Sequence, residues 1–149
     1  MAAGTWTFYN EAKKYIGAGI IDLDTNNFRM SLFVSASDYA TVTQSVISEL
    51  SGEVTEANGY SSSGKALAAV TWATGASASE FRFDATATIW TATGGTIPNV
   101  RAAVIWMSGA SAGGRKLLCY ATLSTGQFTV GTGNTLTITP SANGIFELN

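Results

Sequence analysis

The sequence contains no histidine, one cysteine and two prolines, and only 12% of its residues are charged. Each shortage removes a class of function. Without histidine the chain lacks the side chain that most often acts as general base near neutral pH, ligates metals, or activates a nucleophilic serine or cysteine. The commoner hydrolase constellations are therefore excluded, and one cysteine cannot close a zinc shell. Cys119 cannot form an intramolecular disulfide, and in the apolar run 117–121 it reads as a buried, inert thiol. The N-terminus has neither a basic region nor an apolar signal core, and no window approaches about 18 consecutive apolar residues. The expectation is a protein made and used in a soluble, cytoplasmic setting, with no membrane partner.

Charge is scarce as well as balanced, with eight Lys and Arg against ten Asp and Glu, a formal net charge of −2. Phosphate recognition needs clustered cations. Here they are scattered, and the adjacent pairs, Lys13-Lys14 and Arg115-Lys116, read as a solvated helix face and a loop end. No nucleic-acid partner is expected. A surface of hydroxyls, amides and methyls with so little net charge offers weak protection against association, which points to assembly with copies of the same chain.

What the sequence has in quantity is core material: 46% hydrophobic residues, with four Trp, five Tyr and seven Phe. A chain of 149 residues fits one domain, read as 1–149 with 1–6 as an extended N-terminal arm. Between residues 7 and 16, Phe8, Tyr9, Ala12, Tyr15 and Ile16 recur at helical spacing, and Gly17 and Gly19 end the pattern. From residue 28 the period changes to two, with Phe28, Met30, Leu32 and Val34 on one face and Arg29, Ser31 and Phe33 on the other. Residues 22–27, rich in Asp, Thr and Asn, read as a turn. Val42, Val46, Ile47 and Leu50 predict a second short helix within 39–50, against the low helix propensity of its Thr and Val content. Residues 53–64 form a polar segment expected to be an exposed contact loop.

Beyond Lys65 the chain reads as short strands over 69–73, 80–85, 88–92, 101–107, 117–123, 127–130, 135–139 and 145–148, separated by Gly- and Ser-rich turns. This spacing predicts a mainly β protein, an antiparallel β-sandwich or jelly-roll-like barrel with one or two short helices in its N-terminal third. Alternation places Phe81 and Phe83, and Leu136 and Ile138, on core faces. The run 101–107 lacks alternation and reads as a strand covered on both sides.

Candidate chemistry is thin. The carboxylate pairs Asp22 with Asp24 and Glu53 with Glu56 lie in turns or loops, where acidic residues are ordinarily solvated. The series from Asp22 opens like a calcium-binding loop but has Asn27 where glycine is needed and Phe33 where a bidentate glutamate is needed, so that reading fails. The glycine-rich turns lack the endings of phosphate loops. No catalytic residue, metal ligand or cofactor is assigned. Trp72, Trp90 and Trp106 fall inside predicted strands and read as core, whereas Trp6 lies in the arm, where an aromatic can anchor a tail on a neighbour. The residues expected to touch partners are Trp6, Phe8 and Tyr9 of the N-terminal segment and Asn58 and Tyr60 of the loop. A glycan-binding alternative places Tyr39, Asp38 and Tyr60 in one groove.

The N-terminal helix closed by glycine, followed by Ile20-Ile21-Asp22-Leu23-Asp24-Thr25-Asn26-Asn27-Phe28-Arg29-Met30-Ser31-Leu32-Phe33, resembles a family of small tailed-bacteriophage virion proteins, in which a segment like IDLDTDTFKVALL occupies this place. The loop Gly59-Tyr60-Ser61-Ser62-Ser63-Gly64-Lys65-Ala66-Leu67 and the strand Ala103-Val104-Ile105-Trp106 match later parts of the pattern. The resemblance implies a non-enzymatic β-rich protein of the virion, assembled in the host cytoplasm. Its nearest role is a capsid cement or decoration protein that binds the major capsid lattice as an oligomer such as a trimer. It leaves open a tail or head–tail component, or a receptor- or carbohydrate-binding module of the tail.

Overall fold

The computed structural model describes residues 4–148. Its chain runs through β1 (Thr7–Phe8), α1 (Asn10–Gly17), β2 (Phe28–Phe33), β3 (Lys65–Ala66), β4 (Thr71–Thr74), β5 (Phe81–Asp84), β6 (Thr88–Thr91), β7 (Ile97–Val100), β8 (Ala102–Met107), β9 (Leu117–Thr122), β10 (Phe128–Val130), β11 (Thr135–Ile138) and β12 (Phe146–Leu148). The protein is mainly β, with antiparallel pairing throughout and one α-helix near the N-terminus. Among the described residues no helix is long and apolar enough to cross a membrane.

Four sheets result: β1-β9-β8-β2-β3, β12-β5-β4, β10-β7 and β11-β6. The strand without alternation, β8, is the middle of the five-stranded sheet, and Ala102 to Trp106 are buried on both of its faces. Continuous apolar sequence is what a doubly covered strand requires. One face of this sheet carries Phe8, Phe28, Met30, Leu32, Ile105 and Cys119, as the register of β1, β9, β8 and β2 dictates. It packs on the three-stranded sheet through edge-to-face contacts, Phe28 on Phe83 at 5.0 Å and Phe8 on Phe146 at 4.5 Å between ring centroids. The other face carries Arg29, Ser31, Val104, Trp106 and Tyr120. There the Tyr120 ring meets Tyr9 and Tyr39, side chains of the segments on either side of β2.

The turn before β2 forms as its composition dictates. Asp22 Oδ1 accepts from the Asp24 and Thr25 N–H groups at 2.9 and 3.2 Å, and Asn26 Oδ1 accepts from the Asp22 N–H at 2.8 Å. These donors hold the Asp22 carboxyl below the usual carboxylate range, the Thr25 side chain contributing most.

Three expectations need correction. The second helix within 39–50 is instead a series of turns ending in one 3-10 turn, Ile47–Glu49. Its β-branched residues resist a helix, and polar side chains stitch the turns shut: Asp38 Oδ1 accepts from the Ser51 N–H at 2.7 Å and Glu49 Oε2 from the Ser45 N–H at 2.6 Å. The first helix starts at Asn10, because Thr7 and Phe8 pair with Tyr120 and Cys119 as an edge strand. Of the two phenylalanines expected in the core from β5, Phe83 is fully buried but Phe81 is 45% exposed, although both share one face.

Candidate interaction surface

The residues expected to contact partners do not form one surface. Tyr9 is fully buried with its hydroxyl donating to the Tyr39 carbonyl, and Tyr60 is 2% exposed. Both are core residues, which corrects their assignment as contacts. A tyrosine in a polar loop reads as surface, but here the loop folds back so that the ring lies near Trp90, 6.4 Å between centroids. Burial disfavours the charged form of both phenols and pushes their titration well above the ordinary tyrosine range, and the Glu53 carboxylate adds to the effect at Tyr60. Phe8 is half-buried on Phe146, and Trp6 is half-buried against the core. Residues 1–3 of the expected arm lie outside the described residues. Residues 4–6 run beside 143–147, lining an open depression with them. Asn58 is half-buried with a left-handed backbone, φ 55°, and its Nδ2 donates to the Thr96 carbonyl at 2.8 Å, a structural tie.

The loop 53–64 wraps the edge of β2. Glu53 bridges Phe33, the Val54 N–H donates to the Leu32 carbonyl at 2.9 Å, and Lys65 and Ala66 continue the same edge as β3. Gly64 makes this possible: its φ is +60°, and a Cβ there would fall 2.0 Å from the Met30 carbonyl oxygen. Glu56 accepts from the Ser62 hydroxyl and from the Ser62 N–H at 3.0 Å, which favours its charged form and holds its carboxyl below the usual carboxylate range. The carboxylates of the two candidate pairs are engaged locally: Asp22 and Glu56 cap turns, and Glu53 takes bonds from Tyr60 and Ser63. Among the described residues no group of His, Cys, Asp and Glu could hold a metal ion. Tyr39, named for a glycan groove, is buried, and Asp38 is engaged with Ser51. Cys119 is buried, and its thiol is held far above the usual range by desolvation.

The exposed apolar surface lies elsewhere, at one end of the three-stranded sheet. Phe81 pairs with Thr74 on one side and Leu148 on the other, all on the face that packs inward. That face outruns the five-stranded sheet. Phe83 and Phe146 are covered, whereas Phe81 and Leu148, two residues along each strand, are 45% and 42% exposed. Trp72 stacks on Phe81 at 5.7 Å and also borders a shallow cavity of about 250 Å³ lined by Ile16, Ile21 and Leu23. Ile20, in the turn beside that cavity, is 47% exposed. This leaves part of an inward-facing sheet face, continuous with the core, open to solvent. The sequence signal for it was present in the alternation of β5. Where the covering sheet stops could not be read, because this depends on how the two sheets are offset. No protein-family model, no curated protein and no solved structure matches the chain.

Proposed function

We propose that this chain is a non-enzymatic structural protein of a virion that associates with copies of itself and with neighbouring proteins of the particle, in the role of a capsid cement or decoration component. The observation that carries the reading is the uncovered apolar face of Trp72, Phe81 and Leu148, aromatic at its centre and continuous with the core. Aromatic anchors in such a setting dominate association energetics. The sparse charge of the surface adds no barrier to close approach. Repetition on a lattice multiplies weak single contacts into firm attachment, so a modest patch suffices. The resemblance of the segment from Ile20 to Phe33 to small phage virion proteins supplies the setting.

The test is mass in solution by light scattering, followed by co-sedimentation with assembled phage-type shells. The expected result is a discrete oligomer that travels with the shells. A monomer at high concentration that ignores shells would overturn the reading and redirect attention to the tail.

A further inference from the structure

On the opposite face of the five-stranded sheet, three segments meet around a polar cavity of about 340 Å³: the start of β2 with Arg29, the loop before β3 with Ser62 and Ser63, and the connection after β8 with Ser108, Gly109 and Arg115. Buried Trp106 forms its floor, opposite Arg29 in the register and fixed by an Nε1–H bond to Ser31 Oγ at 3.1 Å. Both guanidiniums are held from behind. Arg29 donates from Nε to the Ser63 carbonyl at 2.8 Å and from Nη2 to the Gly64 carbonyl at 2.9 Å, and Arg115 donates from Nε to the Gly109 carbonyl at 3.2 Å. Among the described residues this leaves Nη1 of Arg29 and both terminal nitrogens of Arg115 as donors without an acceptor.

The ion pairs among the described residues are Lys14 with Glu11 and Arg82 with Asp84, so neither arginine is neutralised by a described carboxylate. The loop's own acids are turned elsewhere, Glu53 to Tyr60 and Ser63, and Glu56 to Ser62. Lys116 is turned over the Tyr15 ring, 4.6 Å from its centroid. Two half-buried guanidiniums fixed through their Nε edges, in a chain whose net charge is negative, form a local exception to its electrostatics. Such planar forks match a carboxylate in bidentate fashion.

We propose that this cavity receives the carboxylate of an Asp or Glu side chain presented by a neighbouring protein. This names a partner chemistry for the assembly reading and rests on it. A polyanion fits poorly, since two cations on an acidic chain give no track for successive phosphates, whereas a single carboxylate matches the paired guanidiniums of Arg29 and Arg115.

The experiment follows the arginine Nε–H and Trp106 indole resonances of the isolated protein by NMR, titrating acetyl-Gly-Glu-Gly-amide, its Gln counterpart and inorganic phosphate. The Glu peptide should shift the Arg29, Arg115 and Trp106 signals saturably, and the Gln peptide should not. In Arg115→Gln the binding should weaken about tenfold, with Arg115→Lys restoring part of it and dispersed spectra showing that both variants fold. No saturable shift, equal shifts by the two peptides, tighter binding of phosphate, or unchanged binding in Arg115→Gln would each overturn the proposal. Light scattering on Arg115→Gln separates the two readings: an oligomer that persists without peptide binding leaves the apolar-face assembly standing, and a wild-type monomer that still binds the Glu peptide removes self-assembly while keeping the site.

Discussion

The Tyr60 hydroxyl accepts the Leu32 N–H at 2.9 Å and donates to Glu53 Oε1 at 2.6 Å. It thereby supplies the acceptor that a strand carbonyl would supply at this point along the edge of β2, between Glu53 and β3. Removing the hydroxyl orphans a buried backbone donor and a carboxylate partner together. Tyr60→Phe should therefore cost about 1–3 kcal/mol in urea unfolding. Glu53→Gln should cost under about 1 kcal/mol, because an amide oxygen still accepts from Tyr60 and from the Ser63 N–H. Equal costs for the two variants would show that the hydroxyl bond to Leu32 contributes nothing.

Two glycines with similar backbone angles separate strain from collision. Gly64 and Gly94 have φ of +60° and +78°, yet a Cβ at Gly94 meets nothing within 4 Å while one at Gly64 would overlap the Met30 carbonyl. Gly94→Ala should cost only the left-handed penalty, about 1–2 kcal/mol. Gly64→Ala adds forced displacement of the β2 edge and should lose more than about 3 kcal/mol, or fail to fold. Thermal unfolding of both decides it: a Gly64→Ala no worse than Gly94→Ala would mean that the loop is not seated on β2.

Stability should be flat between about pH 5 and 8, because no side chain of ordinary affinity titrates there in a protein without histidine. The folded Cys119 thiol and the Tyr9 and Tyr60 phenols ionise at higher pH than in the unfolded chain. Their stabilisation is complete below the unfolded values and is lost as pH rises. The decline should begin near pH 8.5 for the thiol and steepen near pH 10 for the phenols, by about 1.4 kcal/mol per pH unit for each group. Asp22, Glu49 and Glu56 are shifted the other way by hydrogen bonds to their charged forms. Their stabilisation is present above the ordinary carboxylate range and fades as pH falls through it. Urea midpoints across pH 3–11 check both limbs, and Cys119→Ala should remove the limb that begins near 8.5.

The strands were legible where hydrophobic period and turn chemistry agreed. Leu136 and Ile138 are buried as alternation requires, Ala102 to Trp106 are doubly covered, and Asp22 and Asn26 close the predicted turn. Several misses trace to long-range packing that local pattern does not encode, and others to local backbone features. Tyr60 sits among serines and glycines, so nothing local says that its ring enters the core. Strand β7 was missed because Pro98 and the left-handed Asn99, φ 60°, interrupt any strand signal, and its pairing with β10 carries a register shift. Arg29 and Arg115 are 86 residues apart and meet only because β2 and β8 are neighbours.

Phe81 and Ile89 offer a matched pair for the assembly reading, since their exposures are nearly equal at 45% and 46% but their surroundings differ. Phe81 stacks on Trp72 and faces Leu148 across the strand pair, so a partner that covers it covers a continuous apolar surface. Ile89 points outward from β6 between Thr88 and Trp90, both buried on the other face, and its cross-strand partner is the polar Thr137. Covering the exposed part of one phenylalanine, roughly 90 Å², is worth about 2 kcal/mol, or some thirtyfold in association. In a symmetric contact the same side chain is lost on both sides, and the effect doubles in free energy. Phe81→Ser should therefore dissolve the oligomer at concentrations where the parent protein is assembled, while Ile89→Ser leaves its mass unchanged in light scattering. The folded state of Phe81→Ser is checked by its melting temperature, which should fall by only a few degrees because Phe83, not Phe81, fills the core. If both variants remain assembled, the contact between copies lies elsewhere and the uncovered face does not carry it.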